Sequence, residues 1–233
     1  MPRWPAAVLF DFDGVLVNSE PLHFHAFHEV LAVEHLDLTE EEYYRDLIGF
    51  DDKGAFRHLY QSRGLTLSPR TFLSLMAGKS RAMMDLIRRR QFSALPGVEQ
   101  FVRGLWRKHP LGICSGALRE EIEAMLEGIS LRDCFSVIVA AEDVTVGKTD
   151  PQGYLMTARQ LGEKFHRTFD PADCLIVEDA PTVIRSVRQV GFPVLAVATS
   201  YPPEKLAEAN WVVKTLEPAE VRRVVKQLKW DEV

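Results

Sequence analysis

The run Val8–Val17, VLFDFDGVLV, constrains this chain more than any other feature. A β-favouring apolar segment carries two aspartates two positions apart, and Gly14 follows at once. Side chains at i and i+2 of a strand share a face, so a run extended through Phe12 releases Asp11 and Asp13 on one side of its end. Two carboxylates that close repel, and either one takes up a proton or a cation sits between them. A hydrophobic strand gains nothing structural from that conflict. Chemistry does: one carboxylate serves as nucleophile and its neighbour as acid/base, with a divalent ion holding both.

Further apolar, β-rich runs recur at Leu111–Cys114, Val137–Ala140, Cys174–Val177 and Val194–Val197, with a weaker one at Trp211–Val213. Between them lie amphipathic helical patterns, carried by Val98, Phe101, Val102, Leu105 and Trp106, by Ile122, Met125, Leu126 and Ile129, and by Val183, Ile184, Val187 and Val190. Short continuous apolar strands alternating with amphipathic helices predict an α/β fold, a Rossmann-like parallel sheet core with helices on both faces. Ligands of such sheets bind beyond the carboxyl ends of the strands.

One interval breaks the rhythm. From Asn18 to about Arg90 the patterns are helical (Phe24, Phe27, Val30, Leu31; then Leu73, Met76, Met83, Ile87), with a break at Gly64–Pro69. This predicts an inserted α-helical cap over residues 18–90, within a core made of residues 1–17 and 91–233, with Pro96-Gly97 marking the return.

Composition narrows the class. The chain has 233 residues, 46% hydrophobic and 26% charged, which suits a globular protein of one large α/β domain, or of a core with a smaller satellite. A net charge of −5 argues against a nucleic-acid surface, and the Arg88–Arg90 cluster reads as a solvated helix end. No run approaches the roughly 20 apolar residues of a membrane span, and Met1–Ala7, with two prolines, is no signal peptide. Cys114, Cys134 and Cys174 are odd in number and lie beside apolar residues, so they read as buried thiols in a reducing, cytoplasmic compartment.

Polar sets follow four of the predicted strands: Asp11 with Asp13, Ser115-Gly116, Lys148 after a loop through Glu142 and Asp143, and Glu178-Asp179. Parallel strands bring all of them to one sheet edge. The carboxylates of Asp11, Asp13, Glu178 and Asp179 would repel one another strongly; Lys148 and a Mg²⁺ ion, which favours oxygen ligands, would offset that and leave room for a phosphate. The Ser115 hydroxyl and the amides opening the next helix form a phosphate cradle. Arg119, early in that helix, is placed either to touch substrate or to be solvated.

These motifs together resemble the haloacid dehalogenase superfamily over nearly the whole chain. DFDGVLVNSE is similar to its first motif, Ser115 to its second, Lys148 to its third and VEDAPTVIRS to its fourth, and the helical insertion is similar to the cap of the β-phosphoglucomutase-like branch. The resemblance implies that Asp11 is the nucleophile, forming an aspartyl-phosphate, and that Asp13 protonates the leaving oxygen and then activates water. It implies Mg²⁺ held by the Asp11 carboxylate, the Asp13 main-chain carbonyl and Asp179, with Glu178 in support. Ser115, Gly116 and Lys148 would bind the phosphoryl oxygens. In the cap, His23 and Lys79 fall where this branch has substrate-side residues, whereas His23, His25 and His28 lack the partners of a metal cluster.

The chain also departs from the family pattern. Asn18-Ser19-Glu20, Lys148-Thr149-Asp150-Pro151 and Ala180 replace commoner residues without removing a catalytic group. In the loop Ile48-Gly49-Phe50-Asp51-Asp52-Lys53, aspartate stands near the place where the phosphoglucomutases carry an arginine for a second phosphate. The sequence therefore predicts a Mg²⁺-dependent phosphatase of a small phosphorylated metabolite, a monomer or weak homo-oligomer. A β-phosphoglucomutase-like mutase and a non-enzymatic phospho-accepting module are the alternatives. Asp13 argues against dehalogenation, since the dehalogenases themselves lack that aspartate.

Overall fold

A computed structural model describes residues 4–48 and 50–228; residues 1–3, residues 229–233 and Gly49 of the cap loop lie outside that description. In chain order, β1 (Ala7–Phe10) turns into β2 (Val17–Asn18), followed by α1 (Glu20–Val33), α2 (Glu40–Glu42), α3 (Asp52–Ser62) and α4 (Pro69–Arg88). Then come β3 (Ser93–Ala94), α5 (Val98–Trp106), β4 (Leu111–Cys114), α6 (Arg119–Gly128), β5 (Val137–Val139) and α7 (Gln152–Phe165). The last described elements are β6 (Cys174–Glu178), α8 (Pro181–Gln189), β7 (Val194–Val197), β8 (Trp211–Val213) and α9 (Pro218–Val224).

Six strands form one parallel sheet in the order β5-β4-β1-β6-β7-β8. The chain builds outward from β1 in both directions, so β1 lies at the switch point where crevices open at the carboxyl edge. Strand alternation distributes the core over both faces. Leu9, Ile176 and Ala196 pack with Tyr154 and Leu161 of α7 and with Ile184 and Val187 of α8. Phe10, pointing the other way, meets Phe101 of α5 edge-on at 6.1 Å and Phe135 at 5.7 Å. A strand covered on both sides reads as an unbroken apolar run.

The chain divides into two compact units, Met1–Asn18 with Ser93–Val233, and Ser19–Phe92. The second is all helical. Ser68 accepts from the Thr71 amide to start α4, with Pro69 in the first turn, and Asp51 does the same for α3 through Gly54. Phe27, Leu31, Tyr43, Phe56, Leu59 and Leu75 make its core, and the rings of Phe27 and Phe56 lie 4.8 Å apart.

The structure differs from the sequence expectation in detail. β1 stops at Phe10, because the Phe12 carbonyl accepts from the amides of Leu16 and Val17 and Gly14 turns with φ of +73°. Asp11 and Asp13 are therefore placed by a turn, not by strand alternation. β2 and β3 form a two-residue antiparallel pair, Val17↔Ala94 and Asn18↔Ser93, too short to give a periodic signal. Leu73 is 67% exposed, and α4 instead buries Leu75, Lys79, Ala82, Met83 and Ile87. Trp106 and Val190 likewise lie outside the buried stripes of their helices.

No helix among the described residues is long and apolar enough to cross a membrane. The three cysteines are free and buried. Two predictions follow from this packing. Gly97 has φ of +81°, and a Cβ there would run into the main chain of Leu216 and Glu217. Gly97→Ala should cost about 2 kcal/mol or more, and calorimetry should show the melting midpoint falling by about 5 °C or more. Burial pushes the Cys114 and Cys174 thiols up to about 12, and the Cys134 thiol up as well. At pH 8 the first two are therefore thiolate in only about one molecule in 10⁴. A disulfide reagent should leave the native protein untouched over minutes and titrate three thiols per chain in detergent.

Candidate active site

The first residue past β1 is Asp11. Its amide donates to the Val177 carbonyl at 2.9 Å, which keeps it alongside β6, and the residue is 5% exposed. Because Phe10 pairs with Val177, the next residues on the two strands, Asp11 and Glu178, leave the sheet side by side. Asp11 Oδ1 accepts from the Phe12 amide at 2.5 Å and contacts Nζ of Lys148, which arrives from the loop after β5. Lys148 also reaches Glu178 Oε1 at 3.4 Å.

Glu178 closes β6 with both oxygens engaged. Oε2 accepts from the amides of Asp179 and Ala180, each at 2.7 Å, and Oε1 accepts from the buried Tyr154 hydroxyl of α7 at 3.2 Å. Asp179 Oδ2 accepts from the Ser200 hydroxyl, with the Thr199 hydroxyl at 3.4 Å. Gly14 makes this arrangement possible, since a Cβ there would collide with Oδ2 and lie 2.9 Å from Ser200 Oγ.

Burial dominates the electrostatics. It pushes Asp11 well above the ordinary carboxylate range; Lys148 opposes that, while Glu178 and Asp13 add to it. Glu178 is raised by burial as well, against the pull of Lys148. Asp179 is pushed up to about 7 by burial and by Asp11, with Ser200 and Lys148 opposing. Burial alone would favour a neutral Lys148, but the carboxylates of Asp11 and Glu178 outweigh it and hold the ammonium charged.

Oxygen atoms of Asp11, Glu178 and Asp179 lie within 4.8 Å of one another. With all three carboxylates ionised against one ammonium, the cluster would carry an excess of two negative charges, which a divalent cation would neutralise. The donors are all oxygen, so the set fits Mg²⁺. Glu178, both of whose oxygens already hold hydrogen bonds, fits beside Asp11 and Asp179 as a supporting carboxylate.

The Ser115 hydroxyl accepts from the Ala117 amide at 3.0 Å and approaches Asp13 Oδ2 at 3.4 Å, which brings the ends of β1 and β4 together. A Cβ on Gly116 would meet nothing within 4 Å. At the start of α6 one of the amides of the expected cradle is already engaged. The Arg119 amide donates to Glu142 at 3.1 Å, so a carboxylate already occupies that helix end. The Arg119 side chain, 39% exposed, pairs with Asp143 and donates to the Ile138 carbonyl at 3.0 Å. Arg119 thus ties the loop carrying Lys148 to the helix that follows Ser115.

In the helical unit, buried Lys79 lies 2.9 Å from Asp52, 3.0 Å from His23 Nδ1 and 5.6 Å from the centre of the Phe27 ring. Asp52, which stands near the place of the phosphoglucomutase arginine, is therefore paired with Lys79. His25 and His28 are exposed against Phe24, and among the described residues they join no metal-ligating group. Sequence reasoning missed Tyr154, Thr199 and Ser200. The last two lie just past the end of β7, where the sheet-edge rule that selected Ser115 and Glu178 applies equally; Tyr154 carries no such signal.

A parallel sheet with a helical insertion after its first strand, and a buried acidic centre with one lysine at its carboxyl edge, defines a class of hydrolytic enzymes. The chain belongs to the haloacid dehalogenase-like hydrolases, whose family pattern matches residues 8–197, in the branch with a helical cap. It is 27% identical to Protein CbbY of Rhodobacter capsulatus over 225 residues, covering 94% of this chain and 96% of that protein. To Hexitol phosphatase B of Escherichia coli it is 30% identical over 183 residues, 77% of each. The crystal structure of CbbY from Rhodobacter sphaeroides in complex with phosphate superposes with a TM-score of 0.81 at 21% identity, over 91% of this chain and 95% of that one.

Tyr154→Phe removes one of the hydrogen bonds on a buried carboxylate and should cost about 1–3 kcal/mol. Urea unfolding checks this as a lower midpoint at unchanged slope.

Proposed function

We propose that this protein is a Mg²⁺-dependent phosphatase of a small phosphorylated metabolite, a sugar phosphate or similar, working through an aspartyl-phosphate. The observation that carries the reading is the Asp11 carboxylate, buried, in contact with Lys148 and grouped with Glu178 and Asp179. The names of relatives such as Hexitol phosphatase B support the substrate class.

In this reading Asp11 attacks phosphorus while the bond to the ester oxygen breaks, and Asp13 donates its proton to that oxygen. Asp13, now ionised, takes a proton from water, whose oxygen displaces Asp11 and releases inorganic phosphate. The Ser115 hydroxyl, the Ser115–Ala117 turn with Gly116, and the Lys148 ammonium hold the phosphoryl oxygens and offset charge as the bond breaks. The Asp11 carboxylate, the Asp13 main-chain carbonyl and Asp179, with Glu178 in support, would hold Mg²⁺, which supplies further charge neutralisation.

His23 and Lys79 are the substrate-reading pair we propose for the cap. Asp52 already offsets the Lys79 charge, which weighs against a bisphosphate ligand and so against the mutase alternative. A cytoplasmic monomer or weak homo-oligomer, with reduced cysteines, accompanies the proposal.

Wild-type protein with Mg²⁺ should release phosphate from members of a sugar-phosphate panel, and chelation should abolish this reversibly. Asp11→Asn should fall to background, and Asp13→Asn should lose about 10²–10⁴-fold in kcat. An absence of turnover across the panel, or an active Asp11→Asn, overturns the proposal.

A further inference from the structure

The loop after β7 contributes hydroxyls that neither the sequence motifs nor the proposed chemistry uses. Thr199 and Ser200 are exposed, so neither is there to fill a core. Both converge on Asp179, which is 5% exposed. Ser200 Oγ donates to Asp179 Oδ2. Thr199 Oγ1 lies 3.4 Å from the same oxygen and closer to the Gly14 carbonyl. A hydroxyl has one proton to give, so the shorter contact assigns the Thr199 proton to Gly14 and leaves Ser200 as the main donor to Asp179.

The three partners come from three loops: Gly14 beyond β1, Asp179 beyond β6, Ser200 beyond β7. The missing Cβ of Gly14 lets the carboxylate press against the turn, and Thr199 tethers that same turn. Asp179 is thus clamped, with one oxygen tied to Ser200 and its rotamer limited by the Gly14 backbone. Outer-shell hydrogen bonds of this kind orient a ligating carboxylate, and their loss typically weakens metal binding about 10–100-fold.

We propose that Ser200, assisted by Thr199, is a positioning residue that holds Asp179 in the orientation in which the acidic cluster accepts a divalent cation. The inference rests on the reading of Asp179 as a metal ligand, and the test separates the two.

Mn²⁺ serves as probe, with free ion counted by electron paramagnetic resonance in titrations of the full chain. Wild type should bind one ion, and Asp179→Asn should lose it. Ser200→Ala should bind about 10–100-fold more weakly, with Ser200→Thr, which keeps a hydroxyl, within a few-fold of wild type. The Mg²⁺ concentration for half-maximal hydrolysis should move in parallel, while kcat at saturating Mg²⁺ stays within a few-fold. A merely structural role would instead lower the melting temperature and leave Mn²⁺ affinity unchanged. Wild-type affinity in Ser200→Ala alongside lost binding in Asp179→Asn overturns the positioning role and leaves the metal reading intact. A loss in Ser200→Ala that Ser200→Thr does not recover also overturns it. Wild-type affinity in Asp179→Asn overturns both.

Discussion

The contact between the Asp11 carboxylate and the Lys148 ammonium sets the terms for everything around it. Each group is buried enough that its charged form would be expensive alone. Together they tolerate burial, but Glu178 and Asp179 tip the balance back toward excess negative charge. The site is therefore held in a condition that protons or a cation relieve.

The parallel sheet is what gathers these groups at low cost. β1 lies between β4 and β6, so residues emerging beyond it have neighbours on both sides. Lys148 reaches in from beyond β5, Ser115 from beyond β4, Glu178 and Asp179 from beyond β6, and the hydroxyls of Thr199 and Ser200 from beyond β7. The helices on both faces keep the strands dry, and the polar ends are therefore confined to one edge. Gly14 is the narrowest point, because the turn that carries Asp13 runs where another residue's side chain would strike Asp179.

Much of this was legible in the sequence, and the parts that were not share a cause. The six sheet strands read as apolar runs because both sheet faces are covered, and Phe10 and Leu9 need apolar neighbours on opposite sides. β2 and β3 span two residues each, below any periodicity. Asp11, Glu178 and Asp179 stood out because charged residues abutting apolar strands are incongruous, and Lys148 because it follows a predicted strand after a short loop. Tyr154 did not, because a tyrosine on a buried helix face looks like core until its hydroxyl is traced to Glu178. Arg119 was undecidable from sequence: its partners, Asp143 and the Ile138 carbonyl, are brought to it by the β4–β5 pairing, not by proximity along the chain.

The small ribbon of β2 and β3 has a consequence for how such a chain can change. Val17 faces Ala94 and Asn18 faces Ser93, so the two ends of the Ser19–Phe92 unit are clasped within the core itself. Seen from the sheet, everything between them is one closed loop, and the entropy of closing a loop grows only slowly with its length. The intervening segment can lengthen, shrink or be exchanged for another, and the strands that hold Asp11 and Glu178 keep their register. Variation in the Ser19–Phe92 unit and in the acidic centre at the sheet edge is thereby separable in evolution.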